Sequence, residues 1–469
     1  PVEAVVAQIG SNCYTTLSAA VSAAKVDDTI TLCNDVTTDE LVKFNDSVTL
    51  DLNGHTLTSD YVMSNSTGIY AFVFANGGTL TDSAADGEKG ALITNKARAI
   101  TSNNNILNIT GATVKVTSGM SSGNAVIGTT GGLNMKDSSV IGEFEGSYAV
   151  SSFGQTGTEV FNIENSVIHA TTVGIYRNGS AGKFKMTVKN SEIITESQNS
   201  NLAVYISNNN VNNDTNHEVS FENCVISGET GIEAKYTDLD LKDCDITTTG
   251  TPSYVQNNNG ATARGFAVVI TDNAKGDIKA VPTGTVKIDG GNYTGLIGLE
   301  NCADAEEHID ITTDVKISGG TFDTDIKDYC EPGFSPKLIN GKYVVDDSAD
   351  ELKLFFKQNT DDANAYDIML SGEGKNINRL NAADLTFKLD TTDKITYEVS
   401  AADGMSIIPQ KNDRYEFHFN GKTGITTDSG AEVKIGTVKF DGYGSFKFYA
   451  TDGKITATTT QDNLVTEFV

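Results

Sequence analysis

Side chains able to do chemistry are scattered along this chain. Its five histidines are His55, His169, His217, His308 and His418, and no two share the spacing of a zinc-ligand pair. His55 sits in a turn phrase, where a structural role outweighs catalysis. Glycoside hydrolysis needs two carboxylates about 5–9.5 Å apart across the scissile bond, and a chain with 62 acids supplies such pairs by chance. Neither a Gly-His-Gly nor an Arg-x-Lys segment stands beside an Asp-Asp pair. Arginine, which a calcium-dependent lyase needs near an acidic cluster, occurs only at Arg98, Arg177, Arg264, Arg379 and Arg414. No cysteine lies in a nucleophile turn. These observations predict a protein that is not an enzyme, with no catalytic residue and no resident cofactor.

Two acidic groups and two polar insertions remain as binding candidates. Asp238 and Asp240 fall, with Lys242, on one face of an alternating strand, and Asp304 to His308 reads as a loop. Oxygen-rich sites of this kind suit Ca²⁺, although a solvated face is the commoner reason for such acids. The insertions 199–218 and 251–264 place Tyr205 near Asn208 and Asn209, and Tyr254 near Asn257, ending at Arg264. Tyrosine can lie against a sugar ring while asparagine bonds its hydroxyls. The chain has no Trp, which weakens the glycan reading against that of ordinary loops.

Composition narrows the setting. A net charge of −28, with 34 Lys and Arg spread without a basic cluster, argues against nucleic acid. No run of about 18 apolar residues is present to span a membrane. The opening Pro1-Val2-Glu3 predicts a processed or excised product. The expected location is secreted or cell-surface.

The elements that must carry these residues come from a repeated phrase. An apolar residue, a polar one, a turn-forming pair and another apolar residue recur as Leu52-Asn53-Gly54-His55-Thr56-Leu57, Ile163-Glu164-Asn165-Ser166-Val167-Ile168, Val188-Lys189-Asn190-Ser191-Glu192-Ile193 and Leu241-Lys242-Asp243-Cys244-Asp245-Ile246. Most copies are 20 to 33 residues apart, the last being Ile317-Ser318-Gly319-Gly320-Thr321-Phe322. Such unequal spacing fits coils with corner loops of variable length. One strand–bend–strand unit cannot bury its apolar face alone, but a stack of them can. The pattern predicts a right-handed parallel β-helix over residues 1–347, opened by a short capping helix around 15–24. An antiparallel array with Asn-Gly hairpins is the rival.

The opening, from Thr16-Leu17-Ser18-Ala19-Ala20-Val21 through Val48-Thr49-Leu50-Asp51-Leu52-Asn53-Gly54-His55, resembles the pectate-lyase-like β-helix domains of Gram-positive surface proteins, particularly those of Clostridia. The endings Ile317 to Phe322 and Gly341-Lys342-Tyr343-Val344-Val345 are similar to the closure of those domains. The resemblance covers about 345 residues and implies a cell-surface adhesin or scaffold; a polysaccharide lyase or hydrolase, or its binding subunit, is the alternative.

Cys224 and Cys244 hold the same place in successive phrases. At a coil spacing of about 4.8 Å a disulfide between them comes within reach. Cys13–Cys33 and Cys302–Cys330 would be further staples, and buried free thiols are the rival reading.

From Leu352 the texture shifts to longer alternating strands such as Tyr415-Glu416-Phe417-His418-Phe419. Residues 348–469 are expected to form an antiparallel β-sandwich. The segments 365–370, 377–387 and 435–440 resemble cohesin-like, jelly-roll-like domains, which implies a docking module for a dockerin-like partner. The expected ligands are therefore a glycan or protein on a host or neighbouring cell.

Overall fold

The computed structural model describes residues 4–345, less 64–68, 86, 104, 119–123, 153–156, 180–181, 197–201, 209–216, 255–262, 272–283, 301–313 and 332–333, and beyond 345 nine strand segments with residues 360–361. The chain divides into two compact units, Pro1–Ile326 with Leu338–Val344 and Lys327–Lys337 with Val345–Val469.

The first unit is a parallel β-helix. Successive coils add one strand to each of three sheets of thirteen, thirteen and ten strands. The first sheet runs in parallel register from Thr29–Leu32 to Asp314–Ile317, with the antiparallel strands Ala7–Ile9 and Asn12–Tyr14 at its start. The second begins at Val36–Thr38 and the third at Val42–Phe44. The helix Leu17–Ala23 sits beside the opening strands, buries Leu17 and Ala20, and is capped where Thr16 Oγ1 accepts the Ala19 N–H at 3.1 Å.

The repeated phrase supplies the core. Its first apolar residue stacks in register on the first sheet, as in Met135, Ile163, Val188, Phe221, Leu241 and Ile288. Its last does so on the second sheet, as in Val140, Ile168, Ile193, Ile226, Ile246 and Tyr293. Each of these twelve is at most 1% exposed. Between the two stacks the chain turns through a left-handed residue: Asp137, Asn165, Asn190, Asn223 and Asp243 have φ between 49° and 53°. A side chain there costs roughly 1–2 kcal/mol, a penalty Asn and Asp relieve by local hydrogen bonding. The turn side chains link successive coils: Asn165 donates to the Asp137 carboxylate at 3.1 Å, and Asn190 donates to Asn165 Oδ1 and Asn223 to Asn190 Oδ1, both at 3.3 Å.

The next residue of each turn points inward and is buried. Ser138, Ser166 and Ser191 donate to the carbonyls of Lys136, Glu164 and Lys189 at 2.6–2.7 Å. Each also accepts a backbone N–H from the coil before it, at 3.0–3.3 Å. Cys224 and Cys244 continue this column, their thiols donating to the carbonyls of Glu222 and Lys242 at 3.3 Å. Its hydrogen bond to Cys224, together with burial, pushes the Cys244 thiol up.

The expected Cys13–Cys33 and Cys224–Cys244 disulfides are corrected by the structure. Cys13, Cys33, Cys224 and Cys244 are free thiols, and Cys302, with its expected pairing to Cys330, lies outside the described residues. Cys224 and Cys244 lie in successive turns, and each thiol keeps its hydrogen, bonded to the carbonyl two residues before it. Cys13 pairs with Gln8 while the Cys33 N–H reaches Val6 O. The two cysteines thus lie on opposite sides of the Ala7–Ile9 strand, about two strand spacings apart.

In the second unit the strands form two sheets. One is antiparallel, in the order Lys353–Gln358, Ala365–Ser371, Glu432–Asp441, Thr396–Ala401. The other runs Met405–Pro409, Arg414–Phe419, Thr386–Asp390, Lys454–Thr460, Ser445–Thr451, antiparallel except for the parallel pair Thr386–Asp390 and Lys454–Thr460.

Candidate functional site

Alternation along the first sheet sends every second side chain to water, and there the outward residues form columns along the coil axis. One column reads Lys136, Glu164, Lys189, Glu222, Lys242, Asp289 in unbroken register. Lys136 meets Glu164 at 3.5 Å, Lys189 meets Glu222 at 2.6 Å, and Lys242 meets Glu222 at 3.5 Å. Glu218 pairs with Lys185 at 2.7 Å and with Lys183. From the strand Leu133–Lys136 to the strand Asp314–Ile317, this face presents seven lysines and seven acids outward. It is therefore a neutral strip on a chain carrying −28.

The adjacent column is uncharged at its start. Asn134 donates to Asn108 Oδ1 at 2.9 Å, Asn162 donates to Asn134 Oδ1 at 2.8 Å, and Asn108 donates to Gly78 O at 3.3 Å. Thr187 and Ser220 follow, 3.4 Å apart through their hydroxyls, and then Asp240 and Lys287. Two shallow open grooves share Thr187 on this face. One of about 300 Å³ lies over Asn108, Asn134 and Asn162, and one of about 580 Å³ lies over Lys185, Glu218, Ser220, Asp238, Asp240 and Lys287.

Two glutamates of this face, Glu218 and Glu222, are poised as anions. Hydrogen bonds from Lys183 and Lys185 hold the Glu218 carboxyl below the usual range, and those from Lys189, then Lys242, do the same for Glu222. Such groups accept hydrogen bonds and do not serve as general acids at neutral pH.

Asp238 and Asp240 are brought together as alternation predicts, both exposed in the larger groove. The Asp238 carboxylate accepts the Thr285 N–H at 2.9 Å. Among the described residues no three His, Cys, Asp or Glu side chains are grouped to hold a metal ion. The Tyr205 reading is corrected: the residue is fully buried in the strand Leu202–Asn208, stacked on Tyr176 at 5.0 Å, and so presents no face to a ligand. Asn208 ends that strand, while Asn209 and Asn257 lie outside the described residues. Tyr254 pairs with Ala263 in a short antiparallel ribbon where Arg264, half-buried, faces Ser253. The structure does not bring this ribbon's Tyr254 into register with Tyr205.

Inside the coils lies a polar cluster that periodicity does not reveal. Arg177 and Glu159, 1% and 4% exposed, meet at 3.2 Å, and Ser152 donates to the same carboxylate at 2.5–2.6 Å. The guanidinium lies 5.4 Å from the Phe184 ring centre. His217 completes the cluster: its Nδ1 accepts the Phe184 N–H at 3.2 Å and its Nε2 faces Ser207 O at 3.3 Å. Burial and then the Arg177 charge push its imidazole down to about 3, so it is neutral. On the outer side of the third sheet, Glu233 and Lys235 are both fully buried, and Glu233 accepts from Thr271 at 2.8 Å and from Ala263 N at 3.2 Å. Of the other histidines, His55 lies 3.6 Å from Asp35 and His169 lies 3.7 Å from Glu196; His308 is outside the described residues.

No family model matches the chain, and no curated protein matches it. Among solved structures it aligns with the Dettilon tailspike protein at 10% identity and a TM-score of 0.24, over 93% of each chain. A likeness of that degree carries nothing further, and the fold described above rests on the strand register of this chain.

Proposed function

We propose that this chain is an extracellular, non-catalytic adhesin or scaffold that lays a glycan along the outer face of its first sheet. The observation that carries the reading is the neutral strip. It is a long, open row of amide, hydroxyl and ion-paired side chains at one coil spacing, on a chain whose net charge otherwise repels anions. Paired charges and fixed amides offer many weak directional contacts to a polyhydroxylated chain. The location follows from the resemblance to surface proteins of Gram-positive bacteria. No described helix is long and apolar enough to cross a membrane. The two C-terminal sheets support a cohesin-like sandwich serving as spacer or docking module for a dockerin-like partner.

A second reading has one observation of its own. The larger groove sets Glu218, Asp238 and Asp240 beside Lys185 and Lys287, the residue types a polysaccharide lyase or hydrolase uses. A glycan array with and without Ca²⁺, paired with a turnover assay on pectins and host glycans, separates the two. Saturable binding without product is the expected result. Product formation lost in Asp240→Asn would replace the adhesin by the enzyme, and silence in both assays would remove the glycan.

A further inference from the structure

The geometry points to the Asn108, Asn134 and Asn162 row as the contact line of a linear, neutral, β-linked glycan lying parallel to the coil axis. This rests on the glycan-binding reading above and narrows it to one ligand class and one end of the face.

The comparison between two amide rows carries the inference. At the turn, Asn165, Asn190 and Asn223 have φ of 49–53°, so backbone conformation alone explains their type. Asn108, Asn134 and Asn162 sit instead in the strands Leu107–Thr110, Leu133–Lys136 and Thr158–Glu164. Asn is depleted at such positions, and the same column later uses Thr187 and Ser220. Local backbone geometry does not call for these amides.

What they provide is a fixed row of donors and acceptors. Asn134 uses one N–H and one acceptor position within the row, and its amide has capacity for one further bond of each kind. The row's own hydrogen bonds hold it in place, which lowers the entropy lost when a ligand binds. The coil spacing of about 4.8 Å is close to the advance of one sugar in an extended β-1,4-linked chain. Alternate sugars of such a ribbon present opposite edges. Asn108 and Asn162, two coils apart, meet like edges, and Asn134 meets the other; an amide, being both donor and acceptor, serves either. Lys136, Glu164 and Lys189 flank the groove, with Lys136 and Glu164 already paired to each other. The neutral end thus suits an uncharged chain, in contrast to the end holding Asp238, Asp240 and Lys287.

Isothermal titration of the full chain with cellohexaose, with hexagalacturonate as the charged arm, tests this. Cellohexaose is expected to bind saturably and more tightly than cellobiose. Asn134→Thr, a residue the strand accepts, should weaken it about tenfold, the worth of one or two hydrogen bonds, with the melting temperature retained. Asn190→Gly, at the turn, should leave the affinity unchanged. Cellohexaose binding that survives Asn134→Thr would overturn the inference and leave the row a cross-link between coils. Preference for hexagalacturonate, lost in Lys287→Ala, would overturn it too while keeping the glycan reading at the charged end. Silence with both sugars overturns it as well, and the wider array then decides the glycan reading separately.

Discussion

On the outer face of the first sheet, Lys189 and Glu222 meet at 2.6 Å in contact with water; inside the same stack of coils, Arg177 and Glu159 meet at 3.2 Å with 1% and 4% of their side chains exposed. The chemistry is alike and the consequences are opposite. Outside, water screens each pair, so the column can alternate freely and remain available for recognition. Inside, both groups have lost their hydration, and burial pushes Glu159 up and Arg177 down against the pull of their pairing. The interior pair therefore matters through what happens when it is broken. Recognition can be retuned on the face without touching the fold, whereas the interior cluster cannot be altered one partner at a time.

The largest test of that contrast is Arg177→Ala, which strands the Glu159 carboxylate in the core. A loss of about 3–5 kcal/mol is expected from chemical denaturation of the β-helix transition. The double variant Arg177→Met with Glu159→Leu should recover most of it. Equal damage in the double variant would mean that the pair itself, and not the orphaned charge, holds the coils.

A pH titration sharpens the same comparison at the next lower magnitude. The folded His217 stays neutral down to about 3, while in the unfolded chain it takes up a proton near 6.5. Between those values the unfolded state binds more protons, so stability falls as pH falls through that window, by roughly 1.4 kcal/mol for each unit of the shift. Melting temperatures between pH 7 and 4 should decline, and His217→Gln should flatten the slope. An unchanged slope would place the acid sensitivity elsewhere.

Legibility in the sequence followed periodicity. The apolar columns and the turn between them were readable because both recur in one phrase, and so was the outward placing of Asp238 and Asp240; the left-handed conformation of that turn came from the structure. The coil between Leu80 and Leu92 was not readable, since a loop replaces its corner. The Asp82 carboxylate anchors that loop, accepting N–H groups from Gly54, Ala84 and Gly90 at 2.6–3.0 Å. The third sheet is not legible in the sequence because several of its strands, Thr230–Lys235 among them, are buried along their whole length and show no alternation. Tyr205 was misplaced for that reason: in a polar stretch its neighbours suggested a loop. The buried Arg177 and Glu159 lie far apart in sequence from His217, and only coil stacking joins them. One signal for the outer face was present, the alternation of Lys and Glu between successive phrases at Lys136, Glu164, Lys189 and Glu222.

The smallest expected effect lies on that column. Lys189→Ala removes the leading partner of Glu222, yet both groups are solvated and Lys242 remains beside the carboxylate. The melting temperature should therefore stay within replicate scatter at low and high salt. The Glu222 titration, followed by carboxyl carbon NMR, should move upward toward the ordinary carboxylate range, because its first-ranking hydrogen bond is gone. A rise in that midpoint with no change in stability would separate the two regions as argued: charge outside sets what the face presents, and charge inside sets whether the coils hold. A melting loss comparable to that of Arg177→Ala would erase the distinction, since it would make the exposed column a structural element of the stack.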